Sequence, residues 1–399
     1  MKEGWEYKKI DDISTIVGRI GFRGYTKNDL VSKPELGAIT LSPSNIINGE
    51  LSFEKCSYIS LKKYEESPEI MLAEGDVVLV KTASIGKCSI VRSLPHKATL
   101  NPQFVVFKNI KIDNEYFNYY IKSPYFQKSL KTIVGGVAIP TLSQKKLGQL
   151  EIYFPTSYDE QRRIVSYLDS SFKLIDEIKD KALKSLTEAK ALFQSALTEA
   201  MEPKEGWEEK TLGEICFIAR GGSPRPIKNF LTEDESGIPW IKIGDTEIGG
   251  KFINCTKEKI KKEGIKSSRF VRKGDFLLSN SMSFGRPYIL KTDGCIHDGW
   301  LVLQNFKDTF IDDFLYYLLS CNYVQKQFDE YAYGSTVRNL KTDSVSRVSV
   351  NYPPLPTQKL IVSRLDKLSS KVRAMEEKYQ KMVEECDALK QAMLRDVFE

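Results

Sequence analysis

A repeat within the 399-residue chain constrains its fold more than any other feature of the sequence. Six segments of the first half return in the second half in the same order. The matched pairs are 3–6 with 205–208, 75–76 with 274–275, Gly86 with Gly285, 117–121 with 314–318, 136–142 with 334–340, and 161–169 with 358–366. Their offsets fall only from 202 to 197. This order and spacing indicate a tandem duplication of a unit of roughly 200 residues.

Each unit begins with a β-rich part, residues 1–155 and again 202–353. Short runs of β-branched and aromatic residues alternate there with Gly, Pro, Asn and Ser, a pattern typical of strands joined by turns. Tyrosine-rich stretches near 115–131 and 311–330 predict helices inside these parts. The predicted fold class is therefore α+β, without a prediction of strand order.

The second part of each unit, residues 156–201 and 354–399, predicts one long helix. In the second helix, with Thr357 as its predicted N-cap, apolar residues advance in alternating steps of four and three, which is typical of a coiled-coil a/d seam. These positions are Ile361, Leu365, Leu368, Val372, Met375, Tyr379, Met382, Cys386, Leu389 and Met393. The equivalent first-copy seam, 164–196, is rich in Ala and Ser, which favours close approach of a bulkier helix. Two separate amphipathic helices, each packed on its own domain, are the alternative.

The short linker 201–204 constrains how the two helices can pair. It makes the second domain start near the far end of the first helix, so the second helix can pair with the first only by running back along it. A seam of about 33 residues is roughly 50 Å long. We therefore predict an antiparallel coiled coil with the two domains at its opposite ends.

Composition excludes several classes of protein. The sequence has no run of 18 apolar residues, and residues 1–14 are polar, so we expect neither a membrane span nor a secretory signal. Seven scattered cysteines, never spaced Cys-x-x-Cys, favour free thiols in a reducing cytoplasm over disulfides or zinc. A net charge of +6 permits a nucleic-acid partner without requiring one.

Catalytic motifs are incomplete in this sequence. Residues 84–88 (SIGKC) lack the Ser or Thr that completes a phosphate-binding P-loop. Residues 101–104 (NPQF) resemble the Asn-Pro-Pro-Phe/Tyr tetrad of amino-methyltransferases, but no glycine-rich cofactor motif precedes them and the second unit has no counterpart. His297-Asp298 could form only part of a hydrolase triad. We predict neither catalytic residues nor metal ligands.

Polar loops at matching positions of the two copies are better candidates for a binding site. The glycine-containing loops 18–27 and 220–228 carry three basic residues each, and a second pair, 80–87 and 279–286, follows an apolar strand in both copies. Arginine suits phosphate and guanine, while asparagine suits adenine. The predicted nucleic-acid contacts are Arg19, Arg23, Lys27, Lys81, Ser84, Lys87, Arg220, Ser223, Arg225, Lys228, Ser279, Asn280, Ser283, Arg286, Arg338 and Asn339. An ordinary surface loop is the alternative for any single residue.

The whole chain resembles the specificity subunit of type I restriction–modification enzymes. The resemblance rests on the paired Glu-Gly-Trp and Gly-Asp segments, on Gly136/Gly334 before Leu142/Leu340, and on the helix openings PTSYDEQRRIV and PTQKLIV. It implies two target recognition domains, 1–155 and 202–353, that each read one half of a bipartite double-stranded DNA target. The spacer helices, 156–201 and 354–399, would fix the gap between the halves. Because the two domains differ in sequence, the target is expected to be asymmetric.

The resemblance also implies partner subunits. Two methyltransferase subunits are expected to methylate adenine N6 with S-adenosylmethionine, with or without a restriction subunit that uses ATP and Mg²⁺. We expect this chain to be non-catalytic and to bind none of these cofactors. The second helix lacks an acid before Gln358, whereas the first has Glu160 before Gln161. A coiled-coil adaptor without sequence-specific reading and a stand-alone DNA methyltransferase are the alternatives.

Overall fold

The protein is represented by a computed structural model, which describes residues 3–135, 140–247, 249–281, 284–332 and 339–399. It divides into two compact units. Unit 1 comprises Met1–Leu183 with Lys381–Glu399, and unit 2 comprises Lys184–Gln380. Each unit therefore contains one β-rich domain together with a part of both long helices.

The described residues of unit 1, together with the helix that leaves it, contain the first fourteen strands and the first six helices. The strands are β1 (Trp5–Lys9), β2 (Thr15–Val17), β3 (Leu30–Val31), β4 (Gly37–Leu41), β5 (Ile46–Ile47), β6 (Glu50–Leu51), β7 (Ser57–Ser60), β8 (Val77–Val80), β9 (Cys88–Ile90), β10 (Ala98–Leu100), β11 (Phe104–Lys108), β12 (Val134–Gly135), β13 (Thr141–Leu142) and β14 (Glu151–Pro155). The helices are α1 (Ile10–Ile13), α2 (Leu61–Glu65), α3 (Asn114–Lys122), α4 (Pro124–Ile133), α5 (Gln144–Gly148) and α6 (Tyr158–Met201).

The second copy contains twelve further strands and five helices among the described residues. The strands are β15 (Glu208–Thr211), β16 (Phe217–Arg220), β17 (Leu231–Thr232), β18 (Ile238–Ile241), β19 (Phe252–Ile253), β20 (Glu258–Ile260), β21 (Arg269–Val271), β22 (Phe276–Ser279), β23 (Pro287–Leu290), β24 (Gly294–Ile296), β25 (Trp300–Gln304) and β26 (Ser349–Tyr352). The helices are α7 (Leu212–Ile215), α8 (Asp312–Ser320), α9 (Asn322–Ala332), α10 (Thr342–Ser346) and α11 (Leu355–Phe398).

The two β-rich domains share one sheet topology, which confirms the duplicated α+β fold. An antiparallel sheet has the order β2-β11-β8-β9 in unit 1. In unit 2 the equivalent antiparallel strands, β16-β25-β22-β23, are extended by β19, which pairs in parallel with β23. A mixed sheet has the order β10-β4-β7-β3 in unit 1, and β24-β18-β20-β17 with β21 added in unit 2. The parallel pair in each mixed sheet, β4 with β10 and β18 with β24, joins strands that lie far apart in sequence.

Each domain has three layers, because its central sheet is buried on both faces. On β8, Val77 and Leu79 pack into the core that contains α3 and α4, while Val78 and Val80 pack toward the mixed sheet. On β22, Phe276 and Leu278 face one core and Leu277 faces the other. A strand buried on both sides needs apolar residues at every position, which explains the continuous apolar runs after Gly-Asp.

The two long helices contain 44 residues each. The prediction of Thr357 as N-cap is wrong: α11 begins at Leu355, and the Pro354 carbonyl accepts hydrogen bonds from the N–H groups of Thr357 (2.9 Å) and Gln358 (3.1 Å). Proline is well suited to a helix start, where its missing N–H is not needed.

Ion pairs confirm the antiparallel pairing of α6 and α11. Within unit 1, Asp176 contacts Lys390 (2.5 Å) and Lys179 contacts Asp387 (2.6 Å). Residue numbers rise along one helix as they fall along the other. The pairing therefore runs in opposite directions, as the linker length predicted.

One of the two predicted seam lines on α6 is buried from Leu168 to Ala189, and its last member, Ala196, is partly buried. Leu168, Ile175, Ala182 and Ala189 follow one another in steps of seven, and each is at most 5% exposed. The other line includes the exposed Ile178 and Leu192, and its equivalents on α11, Met375 and Leu389, are also exposed. A pair of helices covers only a narrow stripe of each partner, so a second apolar line can remain in solvent.

Candidate nucleic-acid interface

The polar loop after the central strand has the same backbone frame in both units. In unit 1, the Lys81 N–H donates to the Gln103 carbonyl (2.7 Å), and the Lys81 carbonyl accepts from the Leu142 N–H (2.9 Å). Thr82 then forms an isolated bridge with Thr141. Three chain segments are thereby fixed at the end of the sheet.

In unit 2, the same contacts surround Asn280. Its N–H donates to the Gly299 carbonyl (2.9 Å), its carbonyl accepts from the Leu340 N–H (2.9 Å), and Ser281 bridges Asn339. Positions 81 and 280 are therefore structurally equivalent, although one holds a lysine and the other an asparagine.

A glutamine from the following helix secures the turn of each loop. Gln127 Nε2 donates to the Gly86 carbonyl (3.0 Å), and Gln325 Nε2 donates to the Gly285 carbonyl (2.8 Å). Both glycines have positive φ, +93° and +78°. The positive φ favours glycine at position 86, and a Cβ there, 2.3 Å from Gln127 Oε1, would displace the Gln127 amide.

Asp298 joins four of the predicted contact residues in unit 2. Its Oδ1 accepts from Ser223 Oγ (2.7 Å), and its Oδ2 accepts from Arg225 Nη2 (3.2 Å). Its main-chain carbonyl accepts from Arg220 Nε and from Asn280 Nδ2, both at 2.9 Å. The sequence indicates Asp298 only as part of a triad and gives no sign of this role.

The loop that carries Ser223 and Arg225 lies directly on the turn that carries Asp298. The Gly221 N–H donates to the Trp300 carbonyl (2.9 Å), and the Gly222 N–H donates to the Ile296 carbonyl (3.2 Å). A Cβ at Gly221 would lie 2.1 Å from the His297 carbonyl oxygen. No larger residue fits this backbone approach.

The electrostatics of this turn favour an ionised Asp298 beside a neutral His297. The hydrogen bond from Ser223 is the main reason that the pKa of Asp298 lies below its usual range. Burial lowers the pKa of His297, whose Nδ1 accepts from the Gly299 N–H (2.8 Å). Both ring nitrogens of His297 face backbone N–H groups, since Nε2 lies 3.2 Å from the Ile243 nitrogen.

In the corresponding loop of unit 1, the first arginine, Arg19, makes hydrogen bonds within the domain. Arg19 is 5% exposed and donates to the carbonyls of Leu100 (3.1 Å) and Arg23 (3.3 Å) and to Thr99 Oγ1 (3.3 Å). Its guanidinium therefore positions the loop rather than facing solvent. Arg23 is partly buried, and its Nη1 lies 3.4 Å from Glu69.

The remaining predicted residues fall into three groups. Lys27, Ser84, Lys87, Lys228 and Arg286 are exposed. Lys81 is partly buried, which lowers its pKa; Ser279 and Asn280 are buried; and Asn339 is of intermediate exposure. Ser283 and Arg338 lie outside the described residues. The structure therefore gathers Arg220, Ser223, Arg225 and Asn280 closely, and leaves the cationic tips of the other loops in solvent.

A buried glutamine anchors the start of each long helix. Gln161 accepts from the Asp113 N–H (2.7 Å) and donates to the Pro155 carbonyl (2.7 Å). Gln358 makes the equivalent bonds with the Ile311 N–H (3.1 Å) and the Pro353 carbonyl (2.9 Å). This shared structural role explains why the glutamine recurs in both copies. Glu160, the acid that does not recur, only pairs with an exposed arginine one turn away.

Each unit also exposes a matching apolar pair on its helices. In unit 1, the pair is Ile178 (47% exposed) and Leu389 (51%). In unit 2, it is Leu192 (59%) and Met375 (41%), which occupy the equivalent repeat positions.

The described residues contain no group of three or more His, Cys, Asp or Glu side chains placed to hold a metal ion. None of the helices in the described part of the chain is long and apolar enough to cross a bilayer.

Comparison with known proteins places both copies in one family. A family model described as the type I restriction modification DNA specificity domain matches residues 2–188 and again 204–385. The MjaIX specificity subunit of Methanocaldococcus jannaschii is 25% identical over 394 residues, which cover 92% of this chain and 87% of the relative. A putative type I specificity subunit of Haemophilus influenzae is 24% identical, with coverage of 93% and 89%.

Solved structures share the fold over the full chain. A chain from a study of complex assembly and conformational transition of the type I R-M system superposes with a TM-score of 0.79 at 20% identity, covering 100% of this chain and 98% of that chain. The HsdS subunit from Thermoanaerobacter tengcongensis gives a TM-score of 0.55 at 19% identity, covering 100% and 97%.

Proposed function

The chain belongs to the type I restriction modification DNA specificity family, and from this premise we propose that it selects the DNA target of a type I restriction–modification complex. Each β-rich domain reads one half of a bipartite target in double-stranded DNA. The chain has no catalytic residue of its own. It brings the methyltransferase, and a restriction subunit where one is present, to that target.

The main support for this proposal is a loop whose backbone contacts are the same in both units but whose polar side chains differ. The same three backbone contacts hold Lys81 in unit 1 and Asn280 in unit 2. The neighbouring polar side chains in unit 1 are Ser84 and Lys87. In unit 2 they are Arg220, Ser223 and Arg225, which Asp298 holds. A scaffold that keeps its backbone and changes its polar side chains suits the reading of different base edges. This supports an asymmetric target.

The long helices act as the spacer between the two reading domains. Each has 44 residues and is therefore about 66 Å long at 1.5 Å per residue. Buried glutamines and tyrosine–aspartate hydrogen bonds fix the start of each helix to its own domain. A stiff connection of this kind combines two short half-sites into one long specificity, because mismatch costs at separated positions add.

Two methyltransferase subunits dock on the exposed apolar pairs of the helices. Ile178 with Leu389, and Leu192 with Met375, occur once in each unit at equivalent repeat positions. A duplicated surface supports a partner present in two copies. S-adenosylmethionine then belongs to the methyltransferase, and ATP with Mg²⁺ to the restriction subunit. The seven free cysteines are consistent with work in a reducing cytoplasm.

The salt dependence of DNA binding tests whether this chain reads DNA. Fluorescence anisotropy with a labelled random duplex measures the affinity of the full chain from low to high salt. A reader that neutralises several phosphates is expected to lose affinity steeply, by roughly 0.9 logarithmic units per contact for each tenfold rise in salt.

The triple variant Lys27→Gln/Lys87→Gln/Lys228→Gln is expected to flatten this slope, since all three lysines are exposed loop cations. A matched triple variant on the helices, Lys184→Gln/Lys190→Gln/Lys381→Gln, is expected to keep it. An affinity that is weak and independent of salt for the unmodified chain would favour the adaptor alternative. Methyl transfer by the chain alone would favour the stand-alone methyltransferase.

A further inference from the structure

We propose that Arg225 contacts a guanine in the half-site read by unit 2, and that Asp298 is the positioning residue that aims it. This inference rests on the proposed function, which it makes more specific. It names the kind of base pair, G·C, that this loop selects.

The Arg225 side chain is anchored at one edge and open at the other. Its Nη2 lies 3.2 Å from Asp298 Oδ2, yet 79% of the side chain is exposed. Nη2 keeps a second N–H, and Nε and Nη1 have no protein partner among the described residues, so one pair of parallel donors that includes Nη2 remains available. Guanine offers O6 and N7 in the major groove, which a guanidinium recognises with two parallel hydrogen bonds.

The carboxylate that holds Arg225 is itself fixed. Ser223 Oγ donates to the other carboxylate oxygen at 2.7 Å, and the Asp298 carbonyl accepts from Arg220 and Asn280. The loop backbone beneath lies so close to the turn that Gly221 has no room for a Cβ. An arginine held this way loses less conformational freedom on binding than a free one.

The charge of Asp298 favours a positioning role. A lone carboxylate repels DNA phosphates, so an acid among DNA-contacting loops weakens binding unless it is used for another purpose. Both carboxylate oxygens of Asp298 are occupied by donors from the same loop. Asp298 thus weakens the general attraction of the loop for DNA phosphates, but it fixes the direction of the Arg225 side chain.

Unit 1 lacks this arrangement. Pro102 stands at the position equivalent to Asp298, and its neighbours form an amide pair instead: Asn101 Nδ2 donates to Gln103 Oε1 (3.0 Å). Changes at Arg225 or Asp298 are therefore expected to alter one half of the target and to leave the other half unchanged.

The test maps adenine methylation by long-read sequencing in a methylation-free host that carries the partner methyltransferase and one version of this chain. The versions are the unmodified chain, Arg225→Lys, Asp298→Asn and the control Glu208→Gln. Lysine keeps the positive charge but not the two parallel donors. Glu208 also has a cationic partner, Lys210, but it lies on the β15–β26 sheet, which carries none of these loops.

With the unmodified chain, we expect a bipartite motif whose second half contains a G·C pair. Arg225→Lys is expected to raise the relative methylation of sites mismatched at that pair by about tenfold or more. Asp298→Asn is expected to relax the same pair, and Glu208→Gln to change nothing.

An unchanged motif for both loop variants would overturn the inference. So would an even fall in methylation at all sites, which is the behaviour of a phosphate contact or of a poorly folded loop. A relaxed position in the half-site read by unit 1 would also contradict it. If the unmodified chain gives no bipartite motif, the proposed function itself fails, and the inference fails with it.

Discussion

Tyr317 donates a hydrogen bond of 2.6 Å from its hydroxyl to Oδ1 of Asp366. Tyr119 makes the equivalent bond to Asp169 (2.5 Å) in the other copy. In both cases the tyrosine lies on the first helix after the central sheet, and the aspartate lies on the long helix. The bond therefore fixes the spacer helix to the reading domain, and it has been retained in both copies of the repeat.

Tyr317→Phe is expected to lower the free energy of unfolding by about 1.5–3 kcal/mol, since the hydroxyl bonds a charged acceptor. Thermal denaturation followed by circular dichroism measures the loss. Tyr167→Phe, on the exposed side of α6, is the control and is expected to stay within about 0.5 kcal/mol. Equal effects of the two variants would mean that the Tyr317 bond contributes nothing specific.

Gln358→Ala is expected to cost about 2–4 kcal/mol, because it leaves the Ile311 N–H and the carbonyls of Thr309 and Pro353 without their partner. Glu160→Gln is the contrasting variant. It removes only a surface ion pair with Arg163 and is expected to cost less than about 0.5 kcal/mol. Urea denaturation distinguishes the two, and a larger loss for Glu160→Gln would contradict the roles assigned here.

Asn118→Leu is expected to stabilise the protein by about 1–3 kcal/mol. Asn118 is fully buried, and both polar atoms of its side chain lack a hydrogen-bond partner among the described residues. Because Tyr119 of α3 matches Tyr317 of α8, the equivalent position in unit 2 is Tyr316, which is partly buried. A polar amide introduced at a fully buried position of α8, Leu315→Asn, is expected to destabilise. A lower melting temperature for Asn118→Leu would show that the amide has a partner or a purpose.

Ile178→Glu is expected to reduce the number of methyltransferase subunits bound per chain from two to one, since Ile178 is 47% exposed in the apolar pair of unit 1. Met375→Glu is expected to have the same effect through the apolar pair of unit 2, and the double variant is expected to bind no methyltransferase subunit. Light scattering of the purified complex gives the stoichiometry. Two bound subunits in the double variant would exclude the two apolar pairs as the docking surface.

Duplicating one heptad in each helix, 182–188 in α6 and 378–384 in α11, preserves the pairing register and lengthens each helix by about 10 Å. The gap between half-sites is expected to grow by no more than about three base pairs, at about 3.4 Å per pair. Both half-sites are expected to stay the same. Duplication in α6 alone disturbs the pairing and is expected to reduce methylation. A motif with an unchanged gap would contradict the spacer role.

The sequence predicted the features that depend on periodicity. The duplication and the two long helices follow from repeat offsets and heptad spacing, and the antiparallel pairing of the helices follows from the short linker 201–204. The strand order did not, because β4 and β10 pair in parallel although nearly sixty residues separate them. Nor does a heptad pattern tell which of two apolar lines is covered: Ile175 is buried, whereas Ile178, three residues later, is not.

Side-chain roles in the loops were harder to predict, because they depend on contacts between distant segments. Arg19 was assigned to nucleic acid by its charge, yet it is held by Thr99 and Leu100, some eighty residues away. Asp298 organises a loop that begins 78 residues before it, at Arg220. In the sequence, Asp298 stands out only beside His297, as part of an incomplete triad, and that pairing does not point to Ser223 or Arg225.

We propose that this chain determines the DNA sequence at which its partner methyltransferase acts. Adenine methylation, mapped by long-read sequencing, is compared in a methylation-free host that carries the methyltransferase with and without this chain. We expect one asymmetric bipartite motif with a fixed gap, present only with the chain. Identical methylation maps in the two strains would show that the chain does not select the target.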